Sequence, residues 1–424
     1  MLSYFTIHNF KSILNLKLDL RFAEKKAPNG YREMETLPFL QGKENQRFVP
    51  TIALYGANAS GKSNIIQAFS AFKDILTKGL KPQSFNPNKL HAEFTSTSFA
   101  LEFYLEEIAY VYYLEYDQRK ILSEILTVNG NMLYAITPKG QQFIPIASEV
   151  YTTTKLKEVF HVECLDDKEN QNKSFLTVLG QGFTGLSEAV SSAFVYISKR
   201  MDVYSTIRPS FSSCLDRLSN SANQRKLEEA FDRIVSILKK LDIDIARMEH
   251  SRDNLIDKNY FSNFIPITIP PRSNMPYEYS DTIHSYHIDS QGNEIEFDFE
   301  EESEGTKRLS CLIGMLLFAL EQGNVVIIDE LALSLHPLLT SELVKLFKDK
   351  RYNTKSAQLV FTTHNTDILD NDLLRISEIG IINKTLKSGS TIKRVSDFKG
   401  VRNVTNFRKQ YLHGTYTGIP FPYI

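Results

Sequence analysis

The sequence predicts an α/β fold built on a mixed central sheet, and three observations carry the prediction. A short apolar run, Thr51–Tyr55, opens directly into the glycine-rich segment Gly56–Ser63, and a helix-periodic stretch follows it. A second apolar run, Val325–Ile328, ends in the two acids Asp329 and Glu330. Between them, residues 97–136 alternate apolar and polar positions and are dense in tyrosine and phenylalanine, as an antiparallel sheet of three or four strands requires.

The chain has 424 residues, enough for one large domain with an insertion or for two domains. Its hydrophobic share of 42% and charged share of 23% are those of an ordinary globular protein. A net charge of −1 excludes a global basic field and leaves only a local patch for nucleic acid. Three widely spaced cysteines, Cys164, Cys214 and Cys311, form neither a disulfide framework nor a zinc pattern, which fits a reducing compartment. The alternating, charged N-terminus does not read as a signal peptide, and the apolar run Leu309–Leu320 is too short to span a membrane. The expected location is therefore cytoplasmic, with no membrane partner.

In chain order, residues 2–20 alternate in the manner of a two-stranded hairpin. Residues 21–48, with Pro28, Gly30 and Gly42, form a polar surface excursion. Ile65, Ile66, Phe69, Phe72, Ile75 and Leu76 recur at helical spacing after the glycine-rich segment. Residues 141–300 are the least legible, apart from an amphipathic helix over 226–241 with Leu227, Phe231, Ile234, Leu238 and Leu241 on one face. Residues 260–280 are composed as loops. A helix over 304–322, a buried strand at Asn324–Ile328, a helix over 337–348 and a buried strand at Gln358–Thr362 complete a strand–helix alternation that implies a mostly parallel sheet.

The chemistry concentrates in three places. Gly56-Ala57-Asn58-Ala59-Ser60-Gly61-Lys62-Ser63 matches the phosphate-binding loop GxxxxGK[ST]. Its glycines let the backbone wrap phosphates with N–H groups turned inward, and the helix start at Lys62 and Asn64 adds positive potential. Lys62 supplies a point charge for the β- and γ-phosphates, and the Ser63 hydroxyl a magnesium ligand. At the second strand end, Asp329 is the expected magnesium carboxylate and Glu330 the general base toward water. After the third strand, Thr362-Thr363-His364 places an imidazole able to hydrogen-bond the γ-phosphate or the attacking water. These residues imply ATP and magnesium as cofactors.

Together the motifs resemble the ATP-binding-cassette ATPases of the SMC and RecF type. Asn9-Phe10-Lys11-Ser12 resembles that group's N-terminal "NF(K/R)S" hairpin, which implies nucleotide contacts for Lys11 and Ser12. Ser303-Glu304-Gly305-Thr306-Lys307-Arg308 resembles its signature motif in an "SxGxxR" form, although read alone the segment is also a capped helix start. Leu333-Ser334-Leu335-His336-Pro337 resembles the D-loop and His364 the H-loop. The resemblance implies a P-loop ABC-type ATPase with a mixed sheet, an antiparallel β subdomain and a helical, loop-rich insertion. It further implies a head-to-tail dimer, or a higher even-numbered assembly, in which Ser303, Gly305 and Lys307 reach the γ-phosphate held by the opposite subunit. Gln83 and Gln118 are the two candidates for the Q-loop.

Within the group, Phe361–Asp367 resembles the "FTTHxTxxL" run of the AAA-type ATPases of bacterial abortive-infection and related anti-phage systems. The tail Tyr411–Phe421 resembles their "YLxGxYGAxP" ending, with Thr417 where glycine is usual. That likeness implies a sensor ATPase controlling a separate effector, a nuclease or toxin. Only 60 residues follow His364, and they hold no acid cluster able to bind two metal ions, so a nuclease is expected on another chain. The alternative is a RecF- or SMC-like repair ATPase clamping DNA, for which the basic pairs Lys199-Arg200, Arg225-Lys226 and Lys239-Lys240 are scattered candidates. A transporter subunit is disfavoured by the non-LSGGQ signature. The expected domains are 1–135 (the N-terminal ATPase lobe), 136–295 (the insertion) and 296–424 (the C-terminal ATPase lobe).

Overall fold

The computed structural model describes residues 1–42, 45–91, 93–143, 150–166, 172–183, 185, 187–205, 224–254, 279–332, 335–401 and 406–419. The chain divides into two compact units: residues 1–207 with 319–424, and residues 208–318. The division falls later than the 136–295 insertion expected from sequence, because residues up to 204 return a strand to the first unit's sheet.

The first unit is built on a 13-stranded sheet with a parallel and an antiparallel part. The parallel part centres on β5 (Thr51–Tyr55), flanked by β16 (Gln358–Thr362) and β17 (Ile379–Thr385), with β15 (Val325–Ile328) and β11 (Met201–Tyr204) beyond β16. Every residue of β5, β15 and β16 is buried, so these strands read as unbroken apolar runs rather than alternating ones. The antiparallel part begins with β18 (Gly389–Arg394) and the hairpin β1 (Leu2–Phe10) and β2 (Ile13–Asp19). It continues through β6 (Thr97–Leu105), β7 (Ile108–Tyr116), β8 (Ile121–Val128), β9 (Asn131–Thr137) and β10 (Gly140–Phe143). The subdomain thus has five strands after the phosphate loop, one or two more than expected.

Helix α1 (Lys62–Lys78) lies against this sheet through Ile65, Ile66, Phe69, Phe72, Ile75 and Leu76, all fully buried. Phe5 of β1 stacks on Phe69 with ring centroids 4.1 Å apart, and Phe72 meets Phe99 edge-on at 5.8 Å. The aromatic layer fixes α1, and with it the phosphate loop at its N-terminus, to the rigid sheet. The 21–48 excursion is not merely surface: Phe22, Phe39, Leu40 and Phe48 are buried, and Leu40 pairs with Phe48 in a small ribbon.

Helices α2 (Val150–Val159), α3 (Phe175–Gly182) and α4 (Glu188–Val195) also belong to the first unit. The buried Glu124 carboxylate of β8 accepts hydrogen bonds from the Phe175 and Leu176 N–H groups at 2.7 and 2.8 Å, which anchors the α3 N-terminus to the β subdomain.

The second unit carries α5 (Gln224–Lys240) and a three-stranded antiparallel sheet of β12 (Arg247–Asn254), β13 (Tyr279–Ile288) and β14 (Glu294–Asp298). Leu227, Phe231, Ile234 and Leu238 of α5 are buried, as their shared face requires. Helix α6 (Glu304–Gln322) starts in this unit and ends in the first. Helix α7 (Pro337–Lys348) precedes β16, and α8 (Phe407–Leu412) opens the tail. Most of the expected 260–280 loops, together with Leu333, Ser334 and Pro420–Phe421, lie outside the described residues.

Candidate functional site

The C-terminal ends of three neighbouring parallel strands build the site. Strand β5 delivers Gly56–Ser63, its neighbour β16 delivers Thr362–His364, and the next strand, β15, delivers Asp329 and Glu330. Ligands of open α/β sheets bind at this end of the strands.

The loop's shape follows from its residues. Gly61 has φ +104°, and a Cβ built there would lie 2.2 Å from Ser390 Oγ. Gly56 is equally constrained, since a Cβ would meet the Ile382 carbonyl at 2.6 Å. Ala59 adopts φ +61°, a left-handed conformation unusual for a residue with a side chain. The Lys62 ammonium is buried and donates to the carbonyls of Gly56 and Ala57 at 2.8 and 3.0 Å. Burial pushes it below the ordinary lysine value, while Asp329 and Glu330 act in the opposite direction. Ser60 Oγ is buried and has no hydrogen-bond partner among the described residues. Asn58, Ala59 and Ser63 are accessible beside them.

Thr362 ties the two acidic positions together. Its hydroxyl donates to Asp329 Oδ1 at 2.5 Å and accepts from the Glu330 N–H at 2.7 Å. The Leu331 N–H donates to the Thr362 carbonyl at 3.1 Å, and the Asp329 N–H to Tyr204 O of β11 at 2.9 Å. Glu330 is held at φ +53°, a left-handed conformation that costs about 1–2 kcal/mol in a residue with a side chain. Strain of this kind persists only where surroundings over-determine it, and it concentrates at functional positions. His364 is exposed at its strand end. Its pKa is lowered, first by partial desolvation and then by the Lys62 charge, with Glu330 and Asp329 opposing. The four groups thus share one electrostatic environment.

The hairpin turn joins the loop from the other side. Lys11 has φ +50°, and its ammonium donates to Gln67 Oε1 of α1 at 2.5 Å. Ser12 Oγ accepts from Asn64 Nδ2 at 2.7 Å. Of the Q-loop candidates, Gln83 is exposed in a short turn before Asn86, whose carbonyl accepts the Lys11 N–H at 2.7 Å. Gln118 is exposed in the β7–β8 turn.

In the second unit, Ser303 Oγ accepts the Thr306 N–H at 3.1 Å and so caps α6. Lys307 donates to the Glu300 carbonyl at 3.0 Å. Gly305 is exposed, and a Cβ there would meet only Ser303 Oγ, at 3.7 Å. Among the described residues nothing packs closely enough to demand glycine at that position. Among the site's neighbours, Ser390 and the hub role of Thr362 escaped the sequence reading. Thr362 stood in view in the FTTH run, whereas Ser390 lies in an unremarkable Gly-Ser-Thr strand.

The groups present suit a nucleoside triphosphate with magnesium. The Lys62 ammonium, held at the loop by its own carbonyls, is a donor for phosphate oxygens. Ser63 and Asp329 offer the hard oxygen ligands that magnesium takes in ones and twos from protein. Among the described residues no helix is long and apolar enough to cross a membrane.

Residues 52–370 match the family described as "AAA domain, putative AbiEii toxin, Type IV TA system". No curated protein matches the chain. Among solved structures, the SMC head domain from Thermotoga maritima is 14% identical at a TM-score of 0.41, covering 93% of this chain and 98% of that one. An Smc head domain with an extended coiled coil, bound to the C-terminal domain of ScpA derived from Pyrococcus furiosus, is 14% identical at 0.38, covering 92% and 95%. An SmcHead bound to the C-winged helix domain of ScpA is 14% identical at 0.36, covering 92% and 97%. The family match spans well over half of the chain, including the phosphate loop, both acids and His364, so the chain belongs to this AAA family.

Proposed function

We propose that the chain is a magnesium-dependent ATPase that works as a head-to-tail dimer and regulates a separate effector, a nuclease or toxin, in bacterial anti-phage defence. The observation that carries the catalytic part is the convergence of Lys62, Asp329, Glu330 and His364 at the ends of three adjacent parallel strands.

In this reading the loop N–H groups of residues 56–64 hold the phosphates and Lys62 turns from its own loop carbonyls to the β- and γ-phosphates. Ser63 and Asp329 hold magnesium, which when bound neutralises phosphate charge. Glu330 takes the proton of the attacking water, and its left-handed backbone, fixed through Thr362, aims the carboxylate. His364 donates a hydrogen bond from a neutral ring. Lys11 and Ser12 brace the loop from the hairpin. Ser303, Gly305 and Lys307 complete the opposite subunit's site. Support for the shared site comes from Gly305, where no contact among the described residues demands a glycine. A helix N-terminus with no side chain there can approach a phosphate closely.

The defence role rests on the family match and on the tail motif, of which Tyr411 packs against β5. Tyr411 lies 5.6 Å from the Tyr55 ring of β5 and donates to Gly418 O at 3.1 Å. Solution mass of Glu330→Gln, with and without magnesium-ATP, tests the dimer. Doubling of mass with ATP is the expected result, because hydrolysis no longer resolves the sandwich. A monomer under both conditions would defeat the shared-site reading.

A further inference from the structure

Behind the phosphate loop, three segments distant in sequence meet in a chain of hydrogen bonds. Asn64 Nδ2 donates to Ser12 Oγ at 2.7 Å, Ser12 Oγ lies 2.7 Å from Ser390 Oγ, and Ser390 Oγ donates to the Ser60 carbonyl at 2.7 Å. Because the Ser390 proton is committed to Ser60, Ser12 must donate to Ser390, and the chain runs one way, from α1 through the hairpin and β18 to the loop. Ser390 is fully buried, and its backbone N–H donates to Ser12 O at 2.7 Å. Gly389, at φ +62°, permits that approach, since a Cβ there would lie 2.5 Å from Ser12 O.

We propose that Ser390 is a positioning residue for nucleotide binding, acting on the peptide plane between Ser60 and Gly61. In a trans peptide the C=O and N–H point in opposite directions. Holding the Ser60 carbonyl toward β18 therefore turns the Gly61 N–H away from β18. In the phosphate-loop reading of residues 56–63, on which this inference rests, that is the side on which the loop cradles phosphate. The plane needs such a restraint because Gly61 has no side chain to limit its rotation. Without the Ser390 hydroxyl, the unliganded loop populates rotated planes, and binding pays to reorder it. The defect thus appears in affinity and not in the chemical step.

The test measures equilibrium binding of ADP and of ATP, with steady-state turnover, for the full chain and for Ser390→Ala, Ser390→Cys and Lys62→Ala. Ser390→Ala is expected to weaken ADP and ATP by the same factor, about tenfold, as befits one hydrogen bond, with kcat within about twofold of the parent. Ser390→Cys, with a weaker donor, falls between them. A folded Ser390→Ala protein with unaltered ADP affinity, or with a loss confined to kcat, overturns the inference. Should Ser390→Ala not fold, unaltered ADP affinity in Ser390→Cys overturns it equally. If the parent binds nucleotide and Lys62→Ala loses it while the Ser390 variants do not, only this inference falls. If the parent binds none, the phosphate-loop reading falls with it.

Discussion

His364 shows how a single residue's environment sets its chemistry. Partial desolvation and the nearby Lys62 charge both favour the neutral ring, and the two carboxylates only partly offset them. Its folded-state value therefore lies below the ordinary one, which favours the neutral ring. The folded protein binds fewer protons here than the unfolded chain does. The resulting stability contribution is complete above the unfolded value and is lost as pH falls through the folded one. The same shift governs catalysis in the free enzyme, which kcat/KM reports. Its acid limb should lie below pH ~6.5, and His364→Gln should lower kcat/KM while removing that limb. A His364→Gln profile with an unmoved limb would assign it to another group.

At the scale of elements, β15 and β16 act as one unit through Thr362. A buried hydroxyl that both donates to Asp329 and accepts from Glu330 N–H registers the two strand ends against each other. Thr362→Val keeps the shape and removes both bonds, leaving Glu330 N–H and Asp329 without that partner. The expected outcome is a stability loss of about 1–3 kcal/mol in a thermal or denaturant melt. In kinetics, kcat should fall more than tenfold at nearly unchanged ATP affinity, because the strained Glu330 is released while the phosphate loop stays in place. Equal loss of affinity and kcat would mean that Thr362 supports the whole site. These elements differ in how legible they were. The strands β5, β15 and β16 announced themselves because burial on both faces demands continuous apolar residues. Strand β11 did not: four residues, Met201–Tyr204, carry no periodic signal, and only pairing with β15 makes them a strand. The tail was legible by motif, and its one departure has a physical face. Thr417, where the resembling group has glycine, sits at φ +62°, and Asn383 Nδ2 donates to its hydroxyl at 2.5 Å.

For the whole molecule, the decisive question is whether one chain holds a complete site. The sequence suggested a shared one through motif order alone. The insertion was opaque because its three strands alternate weakly and carry exposed charge, as in the β14 residues Glu294, Glu296 and Asp298. Sharing itself can be tested by mixing two dead proteins. Lys62→Ala abolishes phosphate binding in its own loop, and Ser303→Arg blocks the signature end of α6. In a head-to-tail dimer each site draws its loop from one chain and its signature from the other. A mixed dimer therefore pairs the two lesions in one site and leaves the second site intact. Random pairing of equal amounts makes about half of the dimers mixed, each with one good site of two, so turnover should recover to about a quarter of the parent level. Recovery should rise with protein concentration, since it depends on association. A chain complete in itself would show no recovery at any ratio, because each variant would carry its own lesion into every site it forms.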